Sequence, residues 1–417
     1  MKVGIYLLGI LIALSLGLYL FRSSEDFTIT HTSVLQPVDH GNPEGAKFSQ
    51  NIDILIPKGA GPHSPVFFHL AIEDTTDRFM ARLFREYGRP DNVIFIQAEH
   101  RGLGQSVTDD GDQSTPSYIK ISQALADYHR VIGELKKTYD GPWMVAGYRY
   151  GGSLAINLAA HYPDDMKVIL SSSGLIEWPF VMDAYDKKVR EKFGEDFYVR
   201  LATHINNLSP APLYSPHWQE REFLIAIVYG ISEQARFASL IPYFKLLSYL
   251  PSGIFFPILH AMDFFFAKSQ AWHFVEAISK KTLSRSEAVS GQYGWRVGKY
   301  QQCTELGVFA EASAGLSIFS KRLQDFVTEC RSLFGPLSPG AIGNQWSLTT
   351  MVKNLKVPMM YVSGGQDPWG ALGLPPDYKV SNGKHFHIPE GFNCPDEDDV
   401  GLGREILNEM LKYAKPL

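Results

Sequence analysis

Cysteine is scarce in this chain, because its 417 residues include only three, Cys303, Cys330 and Cys394. At most one internal disulfide can form, and one thiol is then left over. A bond between Cys303 and Cys330 is one interpretation, since it would tie the end of a helical region together in an oxidising compartment. Three buried, unbonded cysteines are the other interpretation. The sequence alone leaves this choice open.

Long basic blocks are also missing. The formal net charge is -5, and acidic and basic residues are mixed along the chain. A protein that binds nucleic acid needs clustered positive charge to neutralise phosphates. We therefore expect no nucleic-acid partner.

One long apolar run is present, from Val3 to Phe21. A helix of this length spans a bilayer, but the run also fits a signal peptide, with Ser15 and Gly17 as small residues near a cleavage site. Both interpretations export the rest of the chain. We expect residues 1–25 to be a signal peptide or a membrane anchor. The protein is then membrane-anchored facing the periplasm, lumen or exterior, or secreted if the signal is cleaved.

The hydrophobic pattern predicts one sheet domain that is interrupted by helices. Residues 26–177 alternate short apolar strand patterns with amphipathic helix patterns, which is typical of a mostly parallel sheet covered by helices. Residues 178–345 contain long helical stretches, and a strand pattern returns within residues 346–417. The prediction is an α/β fold with an inserted helical cap.

The turn Gly147-Tyr148-Arg149-Tyr150-Gly151-Gly152 lacks the residue that its frame calls for. A strand pattern enters it and a helical pattern leaves it, which is the context of the G-x-S-x-G nucleophile elbow of α/β-hydrolases. Arg149 occupies the serine position. A guanidinium stays protonated and offers no lone pair for attack on a carbonyl.

Two more residues follow in the order that an α/β-hydrolase uses for its acid and its base. Asp367 lies just after the strand pattern Met359 to Ser363, and His385 follows in Gly383-Lys384-His385. We predict a degenerate triad of Asp367 and His385, with Arg149 at the nucleophile position and His387 as a nearby alternative base.

Several further motifs occur in one order along the chain: Gln36–His40, Glu99–Arg101, Ser122–Asp127, Tyr300–Gly307, and Asp367–Trp369 with Ala371–Gly373. They resemble the serine exopeptidase families that include prolyl carboxypeptidase, dipeptidyl peptidase II and the prolyl tripeptidyl aminopeptidases. The resemblance implies an α/β-hydrolase fold with a helical cap, a Ser-Asp-His triad and cleavage beside proline, with no metal and no cofactor. It also implies that Asp367 is the acid and His385 the base.

A second departure from that resemblance lies after the strand pattern Pro65 to Leu70. The resemblance implies a glycine-rich loop that helps to form an oxyanion hole, but Ala71, Ile72, Glu73 and Asp74 stand there. Tyr150, Ala71 and Glu73 remain the candidates for oxyanion or pocket residues. Loss of the nucleophile and of one donor would remove most of a serine hydrolase's rate acceleration. We therefore predict a pseudopeptidase that binds a peptide or protein partner.

Two roles for Arg149 stay open. It could pair with Asp367 and plug the old pocket, or it could bind an anion at the start of a helix. An alternative function is an active exopeptidase that cleaves near proline with a compensating nucleophile. Ser153, about one turn into the helix, is the hydroxyl at hand, but its position favours packing or helix capping.

Residues 237–274 of the cap are unusually rich in aromatic and aliphatic side chains. Burial of cap helices against the sheet domain explains such a composition. A patch that docks on a membrane surface or a partner is the other interpretation. Prolines divide the segment, so a second spanning helix is not expected.

Overall fold

The computed structural model describes residues 26–72, 76–108, 113–208, 215–233, 239–265, 275–276, 278–280, 282–289, 294–307, 316–318, 323–336 and 346–415. The predicted signal or anchor segment, Glu73 and parts of the 237–274 segment lie outside these ranges. Within them, no helix combines the length and the apolar character needed to cross a bilayer.

The described strands occur in chain order as β1 Phe27–Pro37, β2 Lys47–Pro57, β3 Val66–Ala71, β4 Ile94–Glu99, β5 Trp143–Tyr148, β6 Val168–Ser172, β7 Glu177–Trp178, β8 Trp346–Ser347, β9 Met359–Gly364 and β10 Gly383–Ile388. Eight of them form one sheet with the order β1-β2-β4-β3-β5-β6-β9-β10. Strand β2 runs antiparallel to β1 and β4, and the other pairs are parallel. The predicted α/β-hydrolase fold is confirmed by this topology.

The described α-helices span Asp77–Glu86, Ile121–Leu135, Tyr150–His161, Asp183–Phe193, Glu195–Asn207, Pro216–Glu233, Ile241–Leu247, Ser252–Phe265, Arg285–Ala288, Gly294–Gln301, Leu323–Phe334, Thr349–Asn354, Pro395–Asp398 and Val400–Tyr413. Short 3-10 turns cover Pro163–Asp165 and Pro368–Leu372, and a π turn covers Gln302–Leu306.

Apolar residues on both faces of the central strands bury the sheet between two helical layers. Strand β3 is buried at every position, and so is β5, as expected of parallel strands covered on both faces. Alternate residues of these strands enter two cores, one with helices Ile121–Leu135 and Tyr150–His161 and the cap, the other with helices Asp77–Glu86 and Val400–Tyr413. This packing fixes the carboxyl ends of β5, β6 and β9 side by side.

The helices from Asp183 to Phe334 lie between β7 and β8 in the chain. These two short strands pair antiparallel, with Trp178 opposite Trp346. The N–H of Leu348 also donates to the carbonyl of Ile176 at 2.8 Å. The chain therefore leaves the sheet domain and returns to it at neighbouring points.

Candidate functional site

The turn after β5 has the backbone of a nucleophile elbow. Arg149 adopts φ 54 and ψ -120, and helix Tyr150–His161 begins at the next residue. A positive φ is costly for a side chain with a Cβ atom, so surrounding contacts must hold it. The N–H of Arg149 donates to the carbonyl of Ser172 on β6 at 2.8 Å, and its carbonyl accepts from the N–H of Ser153 at 3.2 Å.

The glycines around Arg149 are required by close packing. A Cβ at Gly147 would lie 2.1 Å from the carbonyl oxygen of Gly151, and a Cβ at Gly152 would lie 3.0 Å from the Cα of Gly174. The helix therefore approaches the sheet too closely for any larger residue. This packing explains why the elbow frame persists although the serine is absent.

The side chain of Arg149 reaches the loop that follows β10. Its Nε donates to Oδ1 of Asn393. The Nδ2 of Asn393 in turn donates to Oδ2 of Asp367 at 2.8 Å. Asn393 therefore links Arg149 to Asp367, in the place where a triad base would link the nucleophile to the acid.

Asp367 lies in the loop after β9, where the sequence predicted the acid, and it is 2% exposed. Its Oδ1 accepts from the N–H of Trp369 at 3.0 Å. Burial raises the pKa of Asp367 to about 6, although the hydrogen bond from Asn393 and the positive charges of Arg149 and Lys192 oppose that rise. The carboxylate is well placed to orient a neighbouring side chain.

The assignment of His385 as the base is corrected by its position. His385 lies within β10, where it pairs with Tyr361 in the register. Its Nε2 is 2.8 Å from Oγ of Ser363, and its Nδ1 is 3.2 Å from the carbonyl of Tyr378. His387 shares the Ser363 hydroxyl at 3.0 Å. Both histidines therefore stand on an edge strand, and the loop that reaches the elbow comes after them.

Two side chains of the cap, Glu233 and Lys192, extend the site. Glu233 ends helix Pro216–Glu233, and its carboxylate accepts from Nε1 of Trp369 and from the hydroxyl of Tyr185 at 3.0 Å. Burial, followed by the nearby charge of Asp367, raises the pKa of Glu233 to about 7, while Arg149 acts in the opposite direction. The backbone carbonyl of Glu233 accepts from the N–H of Asn393 at 3.2 Å.

Lys192 adds a second cation. Its Nζ donates to the carbonyls of Ser232 at 2.5 Å and Gln366 at 2.9 Å. Burial lowers the pKa of Lys192 to about 8, against the opposing effect of Asp367 and Glu233. We call Arg149, Asn393, Asp367, Glu233 and Lys192 the site cluster. Its two cations and two carboxyl groups neutralise one another in large part.

Directly behind the site cluster lies a second group of polar residues, the support cluster, formed by Tyr87, Tyr148, Ser172 and Asp396. The hydroxyl of Tyr87 is 2.8 Å from that of Tyr148 and donates to Oδ2 of Asp396 at 3.1 Å. Ser172 donates to Oδ1 of Asp396. Asp396 is fully buried, and burial raises its pKa to about 6. The segment from Asn393 to Asp396 thus contributes to both clusters.

The structure describes two of the three oxyanion and pocket candidates, Ala71 and Tyr150. Ala71 ends β3, is buried, and its carbonyl accepts from the N–H of His100 at 2.9 Å. Glu73 lies outside the described residues. Tyr150 opens the helix after Arg149, and its hydroxyl accepts from Nε2 of Gln301 at 2.8 Å. Its surroundings raise the pKa of Tyr150, chiefly through burial.

Tyr150 also belongs to a group of aromatic rings. Its ring centroid lies 5.9 Å from that of Trp178 and 6.1 Å from that of Trp346. The two tryptophan rings are 5.5 Å apart. Tyr150 therefore connects the elbow to the two strands where the cap begins and ends.

The structure also places Ser153, the candidate for an alternative nucleophile, and the three cysteines. Ser153 is fully buried, and its Oγ donates to the carbonyl of Leu175 at 2.7 Å. This contact gives it a packing role. Cys303 and Cys330 form a disulfide, and Cys394 is a buried thiol.

Glu305 contacts the start of a helix in the described part of the chain. The carboxylate of Glu305 accepts from the N–H of Ile121 at 2.7 Å and so caps the helix Ile121–Leu135. Among the described residues, no group of three or more His, Cys, Asp and Glu side chains is arranged to hold a metal ion.

The sequence did not reveal Asn393 as a residue of the site. In the structure Asn393 lies where a triad base would lie, between Arg149 and Asp367. A search for a triad base looks for histidine, and an asparagine gives no such signal. The alternating pattern Lys384-His385-Phe386-His387-Ile388 does indicate a strand, and a base has to follow that strand in this fold. Asp367 therefore contacts an amide at this point, and an amide nitrogen accepts no proton near neutral pH.

Comparison with known proteins agrees with the sequence resemblance. Residues 38–198 match the model of the serine carboxypeptidase S28 family. The prolyl tri/tetrapeptidyl aminopeptidase of Streptomyces mobaraensis is 28% identical over 37% of this chain and 29% of its own length. The lysosomal Pro-X carboxypeptidase of Bos taurus is 23% identical over 78% of this chain and 74% of its own length. The thymus-specific serine protease of Mus musculus is 22% identical over 90% and 86%.

Solved structures with a similar chain course include two bacterial enzymes. An esterase from Thermogutta terrifontis has a TM-score of 0.45 and 12% identity, with 92% of this chain and 100% of that chain covered. The proline iminopeptidase of Mycobacterium smegmatis has a TM-score of 0.41 and 11% identity, with 92% and 99% covered. In its sequence this chain is similar to the S28 serine carboxypeptidases and to proline-specific exopeptidases, and Arg149 stands at the central position of its elbow.

Proposed function

We propose that this chain is an exported, membrane-anchored pseudopeptidase that binds a peptide or protein partner without cleaving it. The observation that carries the proposal is the hydrogen-bonded series from Arg149 through Asn393 to Asp367. Both groups that would move protons or attack a carbonyl are replaced, whereas the acid that orients them is retained. Two replacements in one site argue against a role in hydrolysis.

The proposal is tested with a fluorophosphonate probe that labels active serine hydrolases. We expect no labelling of the natural sequence, and none of Arg149→Ser, because the new serine has no base. The double variant Arg149→Ser/Asn393→His restores both groups beside Asp367, and we expect it to be labelled at a measurable rate. Asp367→Asn in that background should lower the rate by about a hundredfold or more, since the acid orients the base.

Two results would contradict the proposal or its details. Stoichiometric labelling of the natural sequence means that an unrecognised nucleophile is active. Labelling of Arg149→Ser alone means that a base other than residue 393 serves it, and His385→Ala in that background identifies whether His385 is that base.

An active exopeptidase with Ser153 as nucleophile is the alternative. The hydroxyl of Ser153 is buried and bonded to a backbone carbonyl, whereas a nucleophile needs contact with a base and access to substrate. Release of a fluorophore from a proline-flanked peptide, abolished by Ser153→Ala, would establish this alternative. We expect no release.

For Arg149, we infer the role of an internal plug. Its charge opposes the rise that burial causes in the pKa of both Asp367 and Glu233, so these two carboxyl groups already act as its counter-ions. An added carboxylate or phosphate would compete with them. Calorimetry with peptides that end in a free carboxylate, and with inorganic phosphate, should give the same binding for the natural sequence and Arg149→Ala. Binding that is lost in the variant would make Arg149 an anion receptor.

Export is supported by two observations. The Cys303–Cys330 disulfide suits an oxidising compartment, and the bovine relative is named as a lysosomal enzyme. The apolar run 3–21 supplies a signal or an anchor. Sequencing the N-terminus of the protein recovered from a membrane fraction separates the two, because a cleaved signal removes the apolar run and an anchor retains it.

A further inference from the structure

The cap carries an exposed apolar surface, the cap patch, which consists of Tyr243, Leu246, Tyr249 and Ile254. These side chains are 63%, 71%, 67% and 51% exposed. Among the described residues, they are four of the eight large hydrophobic side chains that the structure exposes. Exposed apolar residues scattered singly need no explanation, but a concentration within one short segment does.

Backbone geometry brings Tyr243, Leu246 and Tyr249 of the cap patch to one side. Tyr243 and Leu246 are three positions apart on helix Ile241–Leu247. The N–H of Tyr249 donates to the carbonyl of Leu246 at 3.3 Å, which closes a tight turn in which residues three apart lie above one another. Ile254 follows in the first turn of helix Ser252–Phe265.

The inner side of the same segment already fills the core of the cap. Phe244, Phe255, Phe256 and Leu259 are between 0% and 4% exposed. The ring of Phe255 also stacks on His204 with centroids 4.4 Å apart. The side chains of the cap patch are therefore not the ones that hold the cap together. Folding alone gives no reason for their apolar character.

Charge around the cap patch is sparse and positive. Lys245 is the one charged residue in the sequence from 239 to 259. The guanidinium of Arg200 lies 3.7 Å from the ring centroid of Tyr249, and its Nε donates to Oγ of Ser248 at 2.8 Å. No carboxylate occurs in this stretch of sequence to repel an anionic surface.

We propose that the cap patch docks on the surface of an anionic lipid bilayer. Tyrosine rings suit the boundary between headgroups and acyl chains, and apolar side chains that enter this boundary bind together with cations that meet anionic headgroups. The apolar run 3–21 precedes the described chain, which starts at Asp26. A tether of this kind raises the local concentration of the patch at the membrane, so a weak surface contact is sufficient. Docking does not depend on whether the site cluster binds a ligand.

The test uses the full chain in lipid vesicles. Leu246→Cys is labelled with an environment-sensitive fluorophore, and Val400→Cys, at a residue that is 45% exposed on the final helix, is the matched control. The natural cysteines do not compete, because Cys394 is buried and the other two are bonded. We expect spin-labelled lipids to quench the probe at position 246 several-fold more strongly than the probe at position 400.

Two outcomes overturn the docking proposal. Equal quenching at both positions, or none at either, places the cap patch away from the lipid. A blue shift of the probe at position 246 that grows with protein density but is not quenched by lipid indicates a second copy of the chain as the occupant.

The lipid preference is tested separately. Quenching at position 246 should be stronger in phosphatidylglycerol than in phosphatidylcholine vesicles, and Lys245→Gln should reduce that ratio. Equal quenching in the two lipids contradicts the preference for an anionic surface.

Discussion

The site cluster and the support cluster lie on opposite sides of the same short segment, yet they differ in how completely their polar groups are enclosed. Asp396 and Ser172 of the support cluster are fully buried. Asp367 and Asn393 of the site cluster are buried as well, but its Arg149, Lys192 and Glu233 are half-buried. A buried polar group is costly to leave unpaired, whereas a half-buried one retains access to water.

This difference separates a cluster that holds the fold from one whose side chains can change at a smaller cost. The support cluster ties helix Pro395–Asp398 to β5, β6 and the residue that follows helix Asp77–Glu86. Its side chains are fixed by one another. The close packing of the elbow rests on its glycines rather than on the side chains of the site cluster.

The largest expected effect comes from removing the carboxyl group of each cluster in turn. Asp396→Ala leaves the donors of Tyr87 and Ser172 without an acceptor in a dry environment, so we expect a loss of about 3 kcal/mol in the free energy of unfolding. Asp367→Ala also removes a buried carboxyl group, but its charged neighbours Arg149 and Glu233 are half-buried and retain access to water, so we expect a smaller loss of about 1 kcal/mol. Urea denaturation measures both. Equal losses would mean that the two clusters do not differ as described.

The next effect is the pH dependence of stability. Burial raises the pKa of Glu86 and of Glu233 to about 7, and the pKa values of Asp367 and Asp396 to about 6. The folded state therefore binds more protons than the unfolded state above the ordinary carboxyl pKa. By linkage, the stability that these groups contribute is fully present below the ordinary carboxyl pKa and is lost as pH rises from about 4 to about 7.

Two buried histidines act in the opposite direction at lower pH. Burial lowers the pKa of His69 to about 3 and that of His100 to about 4, so stability from these groups is lost as pH falls below about 6.5. We expect these groups together to lower the Tm by several degrees between about pH 5 and about pH 7, because the loss from the four carboxyl groups exceeds the gain from the two histidines. A Tm that rises steadily from about pH 5 to about pH 7 would contradict the raised carboxyl pKa values.

The smallest effect is expected for Arg149→Gly. Glycine relieves the cost of a positive φ, about 1 kcal/mol, while loss of the guanidinium leaves Lys192 as the remaining cation beside Asp367 and Glu233. We expect a change of less than about 1 kcal/mol in the free energy of unfolding and a shift of the pH dependence to higher pH. A loss of more than about 2 kcal/mol would show that Arg149 holds the fold as the support cluster does.

Much of the sheet could be predicted from the sequence, because parallel strands buried on both faces are short apolar runs that are easy to recognise. Strands β3 to β6 and β9 correspond to such runs. The position of Asp367 followed from the end of β9, and the elbow followed from its glycines.

The edge strand β10 could not be recognised in the same way, and the error in the site follows from it. Its residues include Lys384, His385 and His387, and only Phe386 is buried. Without that strand, the first histidine after Asp367 looks like a loop residue. The hydrogen bond from Asn393 to Asp367 depends on a loop returning from the sheet edge, which local sequence does not specify.

The antiparallel pair of β7 and β8 has a consequence for how this fold can evolve. Because Trp178 and Trp346 face each other across this ladder, the whole cap is a long insertion within one β-hairpin. Exchange of the cap for another one, or its growth and loss, leaves the connections of the eight-stranded sheet unchanged. The cap and the sheet domain can therefore change independently of each other.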